Sequence, residues 1–156
     1  MTETLISNWN DRVLRGDTVF VLGDFMLTYG KKNAPLVDSI LSRLNGQKWL
    51  IAGNHDRQEV RKSGYWVKVK DYHEISISLG GDHKQKIVMS HFPMLSWNKM
   101  HHGSWMLHGH THGTLVGNHG KLLDVGVDCH QFAPISINEV ELIMRDKHFT
   151  PIDHHK

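Results

Sequence analysis

The chain has 156 residues, of which 39% are apolar and 22% charged, enough for one compact core and too few for two comfortable ones. Eighteen basic against sixteen acidic side chains leave a formal charge of +2, which excludes a strong field for nucleic acid or an acidic membrane. No apolar run approaches the roughly eighteen residues that span a bilayer, MTETLISNWN lacks the parts of a secretory signal, and the single Cys129 excludes an internal disulfide, so the expected setting is the cytoplasm.

Leu5, Ile6, Trp9, Val13 and Leu14 recur at the helical period and predict an amphipathic helix over 3–15, ended by Gly16-Asp17. Thr18 to Leu22 is short, β-branched and aromatic, the composition of a buried strand, and it ends at Gly23-Asp24. A second helix is expected from Asn33 as N-cap to Asn45-Gly46, with Leu36, Val37, Ile40, Leu41 and Leu44 on its core face. Lys48 to Ala52 reads as a strand that runs into Gly53-Asn54-His55-Asp56, and 57–63 as one or two helical turns. From Trp66 the period changes to two, with Val67, Val69, Ile75, Ile77 and Leu79 alternating before a turn at Gly80-Gly81-Asp82. Strands are expected at Lys86–Ser90, Trp105–Leu107, around Leu115 and at Leu122–Val127, and Ser136 with Glu139 spells a capping box that opens a last helix. Trp97, Trp105 and Cys129 read as packing residues, His108 as a packing residue or a support for neighbouring groups, and Arg57, Arg61, Lys62, Lys68 and Lys70 as a solvated face. Helices alternating with strands, then strands in succession, predict one α/β domain over 1–156 with packed sheets and helices outside.

Fourteen histidines are a surplus, and their placement is informative. Four apolar strands each run into a metal-type ligand: Asp24, Asn54, His91, and His110 with His112. Strand ends project from one rim of a sheet, where rigid backbone can converge several ligands on one point. Gly23, Gly53 and Gly109 precede ligands and permit the tight turns this needs.

Gly23-Asp24, Gly53-Asn54-His55-Asp56, Ser90-His91 and Gly109-His110-Thr111-His112, in that order, resemble four of the five blocks of calcineurin-like metallophosphoesterases, chiefly the small single-domain phage and bacterial branch. The resemblance implies a sandwich of two mixed β-sheets flanked by helices, and a site for two divalent ions such as Mn, Fe, Zn or Ni. It assigns Asp24 to bridge both ions, Asn54, His91 and His110 to the second ion, and His112 to the first. His55 would donate to a phosphate oxygen or protonate the leaving alkoxide, and Asp56 would orient it. Two ions ~3.5–4 Å apart activate a hydroxide and clamp the phosphoryl oxygens during in-line attack. The implied activity is metal-dependent hydrolysis of a phosphomonoester or phosphodiester, with a small phosphate ester as substrate.

The family's opening Asp-x-His block, at the end of its first strand, has no counterpart ahead of the first helix. The expectation is therefore an N-terminally incomplete domain that holds one ion firmly and the other weakly, since catalytic ions usually need about three protein ligands. Asp71-Tyr-His73, Asp128-Cys-His130 and Asp153-His-His155 share the triplet's spelling but are weak substitutes. The rival expectation is a degenerate relative that binds metal or phosphate without turnover. Nucleic acid is not indicated by charge, and self-association through an uncovered sheet is a further expectation.

Overall fold

The computed structural model describes residues 1–27, 30–80 and 83–148; the expected turn at Gly81-Asp82 and the triplet Asp153-His154-His155 lie outside them. Helix α1 (Thr2–Arg12) precedes β1 (Thr18–Val21), α2 (Ala34–Leu41), β2 (Gln47–Ile51), α3 (Gln58–Arg61) and β3 (Trp66–Lys70). Strands β4 (Tyr72–Ser78), β5 (Lys84–Ser90), β6 (Trp105–His108) and β7 (Leu122–Asp124) follow, then α4 (Ile137–Arg145).

Strands β1, β2 and β3 pair in that order and all in parallel, from Thr18 opposite Gln47 to Ile51 opposite Lys70. A parallel pair cannot be closed by a tight turn, and α2 and α3 supply the crossovers. One face of this sheet sends Val19, Val21 and Leu50 into a cluster with Ile6, Trp9, Val13, Val37 and Leu41 of the helical layer. The other face sends Phe20 and Ile51 toward the second sheet.

The second sheet has the order β4-β5-β6-β7, with β4 antiparallel to β5 and the remaining pairs parallel. Ile87 and Met89 of β5 join Leu22, Ile51, Trp105, Leu107 and the α4 residues Val140 and Met144 in a cluster that both sheets share. Val88, between them, points the other way, against Trp97, Met100, Met106 and Leu122. β5 is thus apolar on both faces at its end, as a covered strand must be.

The expected metallophosphoesterase-type sandwich of two mixed sheets does not stand. The first sheet is wholly parallel and three-stranded, only the second is mixed, and the described helices are few, α3 having just four residues. The run from Trp66 to Leu79 also divides: β3 closes the first sheet, and after the single residue Asp71 the chain enters β4 of the second. α2 stops at Leu41 rather than Asn45, and the Lys48 ammonium donates to the carbonyls of Leu44 and Gly46 beyond it. No strand forms around Leu115, where Thr114 folds back onto the Thr111 carbonyl. Trp97 and Trp105 are buried as expected, whereas Cys129 is exposed and not a core residue. No helix among the described residues is long and apolar enough to cross a membrane.

The capping box is present. Ser136 Oγ accepts from the Glu139 amide at 3.3 Å, and the Glu139 carboxylate accepts from the Ser136 amide at 2.8 Å and from Arg12 at 2.9 Å. Donation from the Ser136 amide and hydroxyl, joined by Arg12, holds the Glu139 carboxyl at about 2. A depressed carboxyl stabilises the fold above its ordinary value of 4.5 and loses that contribution as pH falls toward about 2. Ser136→Ala should cost about 1 kcal/mol, a drop of roughly 2–4 °C in the midpoint of a thermal melt at neutral pH. For Glu139→Ala the difference from wild type should shrink as the melt is moved into acid.

Candidate metal centre

Each candidate ligand leaves the carboxyl end of a strand: Asp24 after β1, Asn54 after β2, His91 after β5 and His110 after β6. His91 is only 2% exposed, and its Nδ1 lies 2.8 Å from the Leu22 carbonyl. A carbonyl can only accept, so Nδ1 carries the proton, which leaves the Nε2 lone pair as the ring's ligand atom. That lone pair faces Asn54 Oδ1 at 3.0 Å and Asp24 Oδ2 at 3.3 Å. Three electron-rich atoms turned on one another repel unless a positive charge lies among them. Asp24, His91 and His110 offer ligand atoms all within 4.8 Å of one another, a group that could hold one metal ion. Carboxylate, amide oxygen and imidazole together suit a divalent transition metal, so these residues fit the implied ion.

The backbone is bent to make this convergence. Asp24 and His110 have φ of 53° and 66°, left-handed values that cost a side-chain-bearing residue about 1–3 kcal/mol each. Gly23 has φ 87°, and a Cβ there would overlap the His91 ring. A Cβ on Gly53 would overlap the Asp24 carboxylate, so both positions need glycine.

Three supports hold the loops. Asp56, 3% exposed, accepts from the amides of Asp24 and Gly53, both at 2.8 Å, and of Phe25 at 2.9 Å. Burial pushes its carboxyl up despite these donors. Arg61 donates from Nε to the Asp56 carbonyl at 2.7 Å and from Nη2 to the Gly53 carbonyl at 3.0 Å, clamping both ends of the Gly53–Asp56 turn. Asp124, closing β7, accepts from Thr111 Oγ1 at 2.6 Å, the Gly113 amide at 3.0 Å and the Gly126 amide at 2.9 Å. Burial raises the Asp124 carboxyl, but these donors outweigh it and hold it below its usual range.

Asp24, Asn54, His91 and His110 therefore meet. His55 is exposed beside them, its amide donating to Asp24 Oδ1 at 2.9 Å. Asp56 does not take the expected place behind the His55 ring; its carboxylate is spent on backbone amides. His112 is not one of the three grouped residues, and its Nδ1 lies 2.5 Å from Asp128 Oδ2, a contact that raises its pKa. His108 is fully buried and bonded to the Gly109 carbonyl; burial lowers its pKa and keeps it neutral. Of the look-alike triplets, Asp71 pairs with Arg61, His73 stacks on Trp49, and His130 bonds to the Asp124 carbonyl. Arg61 is not a solvated charge, and neither its clamp nor Asp124 stands out in the sequence, where both look like ordinary loop residues.

These features define an α/β protein with a candidate cation site where the rims of two sheets meet. No family model matches the chain. It is 30% identical over 154 residues to the uncharacterized protein MJ1445 of Methanocaldococcus jannaschii, covering 94% of this chain and 77% of that one. It is 30% identical over 165 residues to the gene 66 protein of Mycobacterium phage D29, covering 85% and 81%, and 29% identical to that of phage L5, covering 80% and 72%. The chain belongs to the family of these proteins. The crystal structure of AQ665, a protein of unknown function from Aquifex aeolicus, shares the fold, with a TM-score of 0.67 at 22% identity over 91% of this chain and 84% of that one.

Asp56→Ala should leave three amides without an acceptor and cost at least about 3 kcal/mol in urea unfolding, whereas His55→Ala should stay within about 0.5 kcal/mol of wild type.

Proposed function

We propose that the chain is a metal-dependent phosphoesterase acting on a small phosphomonoester or phosphodiester. The convergence of Asp24 Oδ2, Asn54 Oδ1 and His91 Nε2, with His110 beside them, carries this reading. These four residues would hold the ion, with Mn, Fe, Zn and Ni all compatible with the ligand set. A divalent ion there supplies Lewis acidity toward a phosphoryl oxygen and makes water nucleophilic near neutral pH. His55, exposed on the same loop as Asn54, is the proton donor: as a hydroxide oxygen bonds to phosphorus and the ester bond breaks, the departing alkoxide takes its proton from the His55 ring. Asp56 and Arg61 keep the His55 backbone in place, and Asp128 holds the His112 ring at the edge of the site. The single exposed Cys129 suits a cytoplasmic setting. A net charge of +2 offers no track for a nucleic-acid strand, which favours small esters.

The second reading is a protein that binds metal or phosphate without turnover. It draws on the presence of one ligand group, and no second, among the described residues, since a lone ion lacks the two-ion clamp. Both are tested with Mn²⁺ and chromogenic phosphomonoester and phosphodiester substrates. The phosphoesterase should release chromophore, lose at least about 100-fold of its rate in Asp24→Ala, Asn54→Ala and His91→Ala, and stop on addition of a chelator. Mn²⁺ binding without chromophore release would favour the second reading.

A further inference from the structure

The ligands differ in how they are held. Asp24 Oδ1 takes the His55 amide, and His91 Nδ1 gives its proton to the Leu22 carbonyl. Among the described residues no hydrogen bond reaches the His110 ring, although His110 is exposed and leaves a strained, left-handed backbone position. A ligating histidine normally donates its second nitrogen to a carboxylate or carbonyl that fixes the ring. Here the ring meets other rings. Phe92 lies 4.5 Å from His110 between centroids, at 61°, and 4.9 Å from His91, at 76°; the two imidazoles are 5.1 Å apart at 71°. These are edge-to-face arrangements, the geometry in which aromatic pairs attract.

We propose that Phe92 is a positioning residue for the cation site, its ring standing in for the missing hydrogen bond and holding the His110 imidazole toward Asp24 and His91. This rests on the reading of that group as a metal site, though not on its being hydrolytic. Phe92 is well placed for the task. It follows His91 directly, so its backbone is set by a buried ligand, and Pro93 after it restricts its backbone to extended conformations. The ring is 47% exposed, more than a residue kept for core packing would be. Its neighbours on the other side, by contrast, belong to the site.

The test is a Mn²⁺ titration of the purified chain followed by electron paramagnetic resonance, with thermal melts of the metal-free proteins alongside. Phe92→Ala and Phe92→Leu should bind Mn²⁺ about tenfold more weakly, a difference of about 1.4 kcal/mol, while Phe92→Tyr stays close to wild type. The metal-free melts should be unchanged, because a half-exposed ring adds little to the core. Wild-type affinity in Phe92→Ala or in Phe92→Leu would overturn the proposal, as would equal weakening in Phe92→Tyr. A wild-type chain that takes up no Mn²⁺ would overturn both this proposal and the metal-site reading. A chain that binds Mn²⁺ with the expected series of affinities but releases no chromophore would remove only the hydrolytic reading.

Discussion

The bond from His91 Nδ1 to the Leu22 carbonyl joins the end of β5 in the second sheet to the end of β1 in the first. It determines which nitrogen of His91 is left to face Asn54 and Asp24, and so converts a packing contact between sheets into a directed lone pair. The neighbouring glycines serve the same bond. Gly23 gives the ring room, Gly53 gives the Asp24 carboxylate room, and the Gly109 amide donates to the His91 carbonyl at 3.1 Å. Substituting a larger residue at Gly23 would displace the ring that orients the rest of the rim.

Burial separates the roles of chemically identical side chains around this centre. Asp56 is buried and surrounded by amide donors, so it works as a rivet between the β1 and β2 loops. Asp24, partly exposed, keeps Oδ2 turned toward His91. Asp124 secures the segment that carries His110, and Asp128 restrains His112. Arg61 completes the arrangement from outside, its planar fork matching two carbonyls three residues apart in a way that a lysine ammonium would not.

Much of the rim was legible because its signal is local. A strand of β-branched and aromatic residues running into glycine and a polar ligand announces itself at Asp24, Asn54, His91 and His110, and Ser136 with Glu139 announces a helix start. What depended on tertiary placement was not. Alternation with period two is the same in either sheet, so the step at Asp71 from β3 to β4 leaves no mark between Trp66 and Leu79. Strand direction is equally silent, which is why a wholly parallel first sheet overturned the expected pair of mixed ones. Asp56 follows His55 in the chain, and adjacency suggested a partnership; the backbone turns between them and sends the carboxylate inward instead. The apolar pattern of the second helix continued to Leu44, but the chain leaves helical geometry after Leu41 and turns toward β2.

The crossing at Asp71 divides the ligands as well as the strands. Asp24 and Asn54 ride on one sheet, His91 and His110 on the other, and what keeps the halves in register is the oily layer of Leu22, Ile51, Ile87, Met89 and Leu107 beneath them. An ion seated between the halves would be gripped by both, so its ligand set would hold only while the two sheets keep their places. Thinning that apolar layer would then loosen the grip on the ion without touching a single coordinating atom.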